Sequence, residues 1–149
     1  TMTHPVLHIA NKIIAHTDIE HGELISNLKL QKLLYYMQGY FIAVFGEPLF
    51  ENEIEAWQYG PVVRDMYNHF KENGASSISL DETATIDELS DDEESLFNEV
   101  LNEYSQYSAI KLMNMTHEEL PWVKTFSENP QGIISMDLMT EYFKTQIVG

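Results

Sequence analysis

The sequence contains no cysteine, and this absence removes several kinds of chemistry at once. Without thiols the chain cannot form disulfides, present a cysteine nucleophile or bind zinc through thiolates. It also lacks the run of about 18 apolar residues that a membrane-spanning helix needs. Residues 1–25 show no basic stretch followed by an apolar segment, the pattern of a secretion signal. We therefore expect a cytoplasmic protein with no membrane partner.

Basic residues are scarce. Eight Lys and Arg side chains stand against 24 Asp and Glu, a formal net charge of −16, and Arg64 is the one arginine. Such a surface repels phosphate backbones, so direct nucleic-acid binding is disfavoured. Lys29 and Lys32 accompany Tyr35 and Tyr36 in a pattern that could suit single strands, but two lysines do not offset this charge. The acidic surface instead favours encounter with a basic protein.

The familiar cofactor and catalytic motifs are missing too. Neither type of glycine-rich phosphate loop occurs, and no serine lies in a nucleophile elbow. His117-Glu118-Glu119 is similar to the start of a zinc-protease helix, but that motif needs a second histidine one turn later, where this chain has Pro121. A metal-dependent hydrolase using His117, Glu118 and Glu119 is therefore the weakest alternative. We expect no catalytic residues, no metal and no cofactor.

What the sequence does contain is helical periodicity. It predicts a central helix with Ser26 or Asn27 as the N-cap and Gly46 as the stop. Its apolar positions recur at helical spacing: Leu30, Leu33, Leu34, Met37, Phe41, Val44 and Phe45. Tyrosines widen the apolar surface beyond one stripe, so this helix should be contacted on more than one side.

Caps and breaks predict about six helices in a single compact domain over residues 1–149. A first helix should have Thr3 as its N-cap, Pro5 at an early helical position and its end near Thr17, and another should start at Pro61. Ser90 with Glu93, and Thr116 with Glu119, match the capping box, and Ser108 should cap a shorter helix through Met113. Residues 49–59 suit a short extended segment, and Ile78 and Leu80 could form one brief strand by alternation. The fold class is mainly α, or α+β with a minor short β element.

The stretch IEAWQYGPVVRDMYNHF, residues 54–70, concentrates unusual residue types. Arg64 falls in the first turn of a predicted helix, where the helix dipole disfavours a cation, so a carboxylate such as Glu55 should compensate it. Tryptophan and arginine are also common at binding hot spots. A packing corner that doubles as an interaction surface therefore fits this stretch better than catalysis.

Four blocks carry a family resemblance: NLKLQKLLYY at 27–36, GEPLF at 46–50, IEAWQYGPVV at 54–63, and a later block over 112–122 that contains THEELPW. Together they resemble the Panacea-domain family, the SocA/GepA-like, phage-associated antitoxins. The resemblance implies a mostly helical domain that neutralises a toxin encoded beside it, usually by direct protein–protein contact. It also implies that some relatives act as adaptors that deliver the toxin to a protease complex. It supplies no catalytic set.

Beside this resemblance, we select candidate contacts for a cognate protein toxin, which the charge predicts to be basic. The first set is Trp57, Tyr59, Arg64, Tyr67 and His117, with Lys29 and Lys32 as a secondary site. An alternative is that the signature residues determine the fold, and that partner choice lies in loops such as 75–92.

Overall fold

A computed structural model describes residues 3–21, 25–71 and 88–147, with the backbone alone over 18–21. In chain order the elements are α1 (Val6–His21), α2 (Asn27–Phe45), β1 (Ile54–Trp57), β2 (Gly60–Val62), α3 (Arg64–Phe70), α4 (Asp91–Tyr104), α5 (Ala109–Thr116), α6 (Leu120–Glu128), β3 (Ile133–Ile134) and α7 (Met136–Lys144). Seven helices and one small sheet in the described residues confirm the predicted mainly α fold.

Helix α2 lies at the centre of the molecule, as its wide apolar surface predicted. It packs against α1, α3, α4, α5 and α7, with α7 as its most extensive neighbour. Ser26 caps its start by accepting a hydrogen bond from the Lys29 amide, and Gly46 ends it in the left-handed conformation at φ 75°. Both ends therefore follow the local signals that the sequence contains.

The predicted caps of α4 and α5 are confirmed. Ser90 and Glu93 form a reciprocal capping box at the start of α4, and the Ser108 hydroxyl accepts a hydrogen bond from the Lys111 amide at the start of α5. The second predicted box is wrong. Thr116 instead ends α5, with its hydroxyl donating to the Met113 carbonyl, and Glu119 is the N-cap of α6 with its side chain directed elsewhere.

Two further boundaries differ from the prediction. Helix α1 begins at Val6 and continues to His21, about one turn beyond Thr17. Pro61 does not start a helix. It lies in β2, and α3 starts at Arg64. Pro61 is opposite Ala56 of β1, so the backbone stays in the sheet through Val62 and the helix begins only after this pairing ends.

The small sheet has the order β2-β1-β3 with antiparallel pairs throughout. Glu55 is opposite Val62 in one pair and opposite Ile133 in the other. The extended segment predicted over 49–59 thus contributes β1. The two-residue strand β3 has no sequence signal of its own, because it is too short to show an alternating pattern.

The core forms one cluster around α2, to which α1, α4, α7 and β1 contribute apolar side chains. None of the described helices combines the length and hydrophobicity that crossing a bilayer requires. The predicted brief strand at Ile78 and Leu80, like most of the 75–92 loop, lies outside the described residues.

Candidate partner-binding site

The tight turn between β1 and β2 positions the first candidate residues. Gly60 has φ 107°, a conformation that L side chains rarely adopt. A Cβ atom there would lie 2.4 Å from Lys32 Cε and 2.9 Å from Thr116 Oγ1. Both the backbone conformation and the close approach of α2 and α5 therefore require glycine. The turn leaves the Tyr59 side chain 60% exposed at its tip.

Arg64 is held by the carboxylate that the sequence suggested. Its guanidinium donates three hydrogen bonds to the Glu55 oxygens, from Nε at 3.2 Å to each oxygen and from Nη2 at 2.8 Å to Oε1. The Trp57 indole donates to the same Oε1 at 2.8 Å, and the guanidinium carbon lies 5.6 Å from the Trp57 ring centre. The hydrogen bonds from Arg64 are the main cause that lowers the pKa of Glu55.

Tyr67 of α3 is another aromatic residue beside the β1–β2 turn. Its ring meets Trp57 edge to face with centroids 5.0 Å apart, and its backbone carbonyl accepts a hydrogen bond from Asn27 Nδ2. Trp57, Tyr59 and Tyr67 line a cavity of about 470 Å³ together with Leu28. The cavity is open to the surface and has an aromatic wall.

His117 reaches the turn from the end of α5. Its Nε2 lies 3.0 Å from the Gln58 carbonyl oxygen, and its ring lies 4.2 Å from the Trp122 ring. Trp122 in turn donates from Nε1 to the Trp57 carbonyl at 2.7 Å. The structure thus brings together all five first-rank candidates, and we call the surface formed by Trp57, Tyr59, Arg64, Tyr67 and His117 the aromatic corner.

The secondary candidates are not on the surface. Lys32 has no exposed area and donates to the Pro61 carbonyl at 3.1 Å, while Lys29 is 8% exposed and donates to the Ser105 carbonyl at 2.7 Å. Burial lowers the pKa of Lys32 to about 7. These two lysines tie α2 to neighbouring segments, so we withdraw them as direct partner contacts.

Two other polar residues of α2 are buried, and their interior roles were not predicted from the sequence. Gln31 accepts a hydrogen bond from the Val63 amide, and Gln38 accepts from the Leu49 and Phe50 amides and donates to the Phe50 carbonyl. Each satisfies backbone groups of a segment that has no partner within a regular element. The sequence does contain a signal for these roles. A helix that is apolar on several sides is enclosed by its neighbours, so its polar residues are expected to be interior as well.

Glu119 also has a role that differs from the one predicted from the sequence. Its two oxygens accept hydrogen bonds from Tyr35 at 2.9 Å and from Tyr36 at 2.7 Å, and Tyr142 of α7 also donates to it. Burial raises the pKa of Glu119 to about 7, although the three tyrosine hydrogen bonds act in the opposite direction. We call these four residues the Glu119 cluster. It connects α2, the start of α6 and α7.

The arrangement offers binding surface rather than convergent reactive groups. His117 and Glu119 have separate sets of partners, and Glu118 is exposed. Over residues 3–21, 25–71 and 88–147, no three His, Asp or Glu side chains are grouped so that they could hold a metal ion. The three residues of the hydrolase alternative thus do not form a common site.

Comparison with known proteins assigns the family. The model of the family described as "Antitoxin SocA-like, Panacea domain" matches residues 30–123, more than half of the chain. The chain belongs to this family. A relative named "Antitoxin SocA", from Caulobacter vibrioides (strain NA1000 / CB15N), is 48% identical over 54 residues. Those residues make up 36% of this chain and 29% of the relative, so the match spans less than a third of that protein. No solved structure matches the chain.

The Panacea-domain match gives the buried residues a context. Gln31, Lys32, Gln38 and Gly60 all lie within the matched span, and each makes an interior contact between segments that are distant in sequence. Much of the signature thus has a structural role in this chain. Tyr59 and Arg64 are the most exposed residues of the aromatic corner within the matched span. Packing of the interior does not explain why these two residue types occur there.

Proposed function

We propose that this Panacea-domain protein is an antitoxin that neutralises a cognate toxin by binding it directly through the aromatic corner. The observation that carries the proposal is the grouping of Trp57, Tyr67 and the exposed Tyr59 and Arg64 around the β1–β2 turn and the start of α3. Aromatic and arginine side chains are the types that dominate binding energy at protein interfaces. The hydrogen-bonded support from Glu55, Trp122 and His117 fixes their positions before binding, which reduces the entropy lost on association.

The formal charge of −16 supports a basic toxin as the partner, because opposite charge accelerates encounter. The proposed function is not enzymatic, and it requires neither metal nor cofactor. It acts without direct contact to nucleic acid.

The test is co-expression with the toxin encoded by the neighbouring gene. Growth should be arrested by the toxin alone and restored by this chain, and the two proteins should co-purify. Persistent arrest with both proteins soluble would contradict the proposal. If growth is restored while the toxin half-life shortens sharply, delivery to a protease replaces simple capture.

A surface variant locates the contact. Tyr59→Ala removes an exposed ring and should leave the fold intact, yet weaken toxin binding by about tenfold or more if Tyr59 is a hot spot. Ile110→Ala is the matched control, because Ile110 is 57% exposed on α5 and lies outside the aromatic corner. Equal affinities of the two variants for the toxin would place the interface elsewhere.

A further inference from the structure

A second surface lies between the C-terminal half of α2, helix α4 and the residues that follow α7. It is an open groove of about 570 Å³. We call it the α4 groove. Its apolar lining includes Val44, Leu96, Val100 and Ile147, and two of these side chains are large exposed hydrophobics: Val44 at 45% and Ile147 at 38%. The volume falls in the range of cavities that accept bound side chains or small ligands.

Two tyrosines that line the groove are held by ring contacts and a hydrogen bond. They are Tyr40 and Tyr104, and their hydroxyl oxygens lie 2.8 Å apart in a mutual hydrogen bond. The Tyr104 ring stacks on Tyr36 with centroids 4.0 Å apart, and Tyr40 meets Phe143 at 5.0 Å. A hydroxyl pair shares only one of its two hydrogens internally, so the second can be donated to a bound group.

The rim of the groove is acidic, and no Lys or Arg is among the described residues that line it. Helix α4 has six carboxylates and no Lys or Arg. Glu93 and Glu94 near its start lie against His4 and Lys12. Glu99 and Glu103 are the two that line the groove, both exposed, and no ion pair joins either to a cation in the described part of the chain.

We propose that the α4 groove binds a basic, amphipathic segment of the toxin, with an apolar side chain entering beside Val44 and Leu96 and a Lys or Arg contacting Glu99 or Glu103. This proposal rests on the antitoxin function proposed above. Charge distinguishes the two surfaces: Arg64 and Lys71 lie at or beside the aromatic corner, whereas the charged side chains among the described residues that line the α4 groove are both acidic. A basic segment of the toxin is therefore attracted more strongly to the groove than to the corner.

The experiment compares the full chain with its Glu99→Gln/Glu103→Gln double variant, which keeps side-chain size and removes both rim charges. Toxin affinity should fall by about fivefold to tenfold at low salt, as expected for two partly exposed ion pairs. Glu128→Gln is the matched control, because Glu128 is an exposed carboxylate on α6 far from the groove lining. Val44→Ser tests the apolar contact separately and should also weaken binding.

A second arm uses a synthetic helical peptide with Leu at i, i+3, i+4 and i+7 spacing and Lys at the other positions, and its counterpart has Ala in place of each Leu. The Lys/Leu peptide should shift the methyl NMR signals of Val44, Leu96 and Ile147 and bind more tightly than the Lys/Ala peptide. Shifts spread evenly over the acidic surface, or equal binding of both peptides, would overturn the groove proposal.

The outcomes separate the two proposals. If the toxin is neutralised equally by wild type and all groove variants, the groove proposal fails and the antitoxin function stands. If wild type does not neutralise the toxin at all, the antitoxin function fails, and the peptide arm alone decides whether the groove binds basic amphipathic segments.

Discussion

Tyr36 donates a 2.7 Å hydrogen bond to Glu119, 83 residues further along the chain. With Tyr35 and Tyr142, it surrounds a partly buried carboxylate at the point where α6 begins. The carboxylate thereby links the central helix to the C-terminal part of the chain. Because it is both partly buried and ionisable, its contribution to stability depends on pH.

The pKa of Glu119 is raised to about 7 in the folded chain, above its ordinary value of 4.5. Its contribution to stability is therefore fully present below about pH 4.5 and is lost as the pH rises to about 7. Glu119→Gln should remove this loss, so the variant should gain on the order of 2 kcal/mol relative to wild type across that interval. Urea unfolding at several pH values measures the difference. As the control, the Glu128→Gln variant should have a free energy of unfolding that follows the wild-type pH profile. The prediction is contradicted if Glu119→Gln follows that profile as well.

The buried Lys32 should make the free energy of unfolding depend on pH in the alkaline range. Its pKa is lowered from 10.5 to about 7, so its contribution to stability is present above about pH 10.5 and is lost as the pH falls to about 7. Lys32→Met should therefore gain on the order of 2–4 kcal/mol over wild type as the pH falls through this interval. Lys124→Met, at an exposed lysine, should show no such gain in urea unfolding. A gain of the same size at every pH would exclude a titrating Lys32.

Gly60→Ala should destabilise the domain by about 2–5 kcal/mol, because it combines positive-φ strain with overpacking against Lys32 and Thr116. Gly46→Ala separates the two effects. Gly46 also has positive φ, but a Cβ there would meet nothing within 4 Å, so about 1–2 kcal/mol is expected. Denaturant unfolding measures the free energy lost in each variant. The comparison holds when both variants keep the wild-type dependence of that free energy on denaturant concentration. Equal losses would show that the contact with α2 and α5 can relax.

Gly39→Ala tests the packing of α2 against α7. Alanine favours a helix by about 1 kcal/mol over glycine, but its Cβ would overlap the Phe143 ring at 2.2 Å. We expect a net loss of about 1–3 kcal/mol. Adding Phe143→Leu should recover part of that loss, so the double variant should lose less than the sum of the single variants. Additive losses would indicate that the ring moves aside freely.

Arg64→Glu should leave the free energy of unfolding within about 1 kcal/mol of wild type, because the Arg64 side chain is 53% exposed in its ion pair with Glu55. It should nevertheless weaken toxin binding, since it removes the guanidinium that lies over Trp57 and donates to Glu55 in the aromatic corner. Lys124→Glu provides the same charge change on α6. Large destabilisation with unchanged toxin affinity would assign Arg64 to packing alone.

The sequence by itself determined the helical character, the centre of the fold and several boundaries. Regular apolar spacing in α2, the Ser26, Ser90 and Ser108 caps and the glycine stop at Gly46 act through neighbouring residues, so they are readable locally. The pairing of Arg64 with Glu55 was also accessible, because the misplaced cation required a nearby carboxylate.

Only the tertiary structure decided which polar residues are interior. Thr116-x-x-Glu119 has the local form of a capping box, yet Glu119 turns to tyrosines on α2 and α7, because hydrogen bonds from three hydroxyls outweigh one local cap. Lys29 and Lys32 have the local form of a surface pair, yet α2 is enclosed on several sides and their amines reach backbone carbonyls of other segments. Such contacts join residues far apart in sequence, and no local pattern encodes which segments the fold brings together.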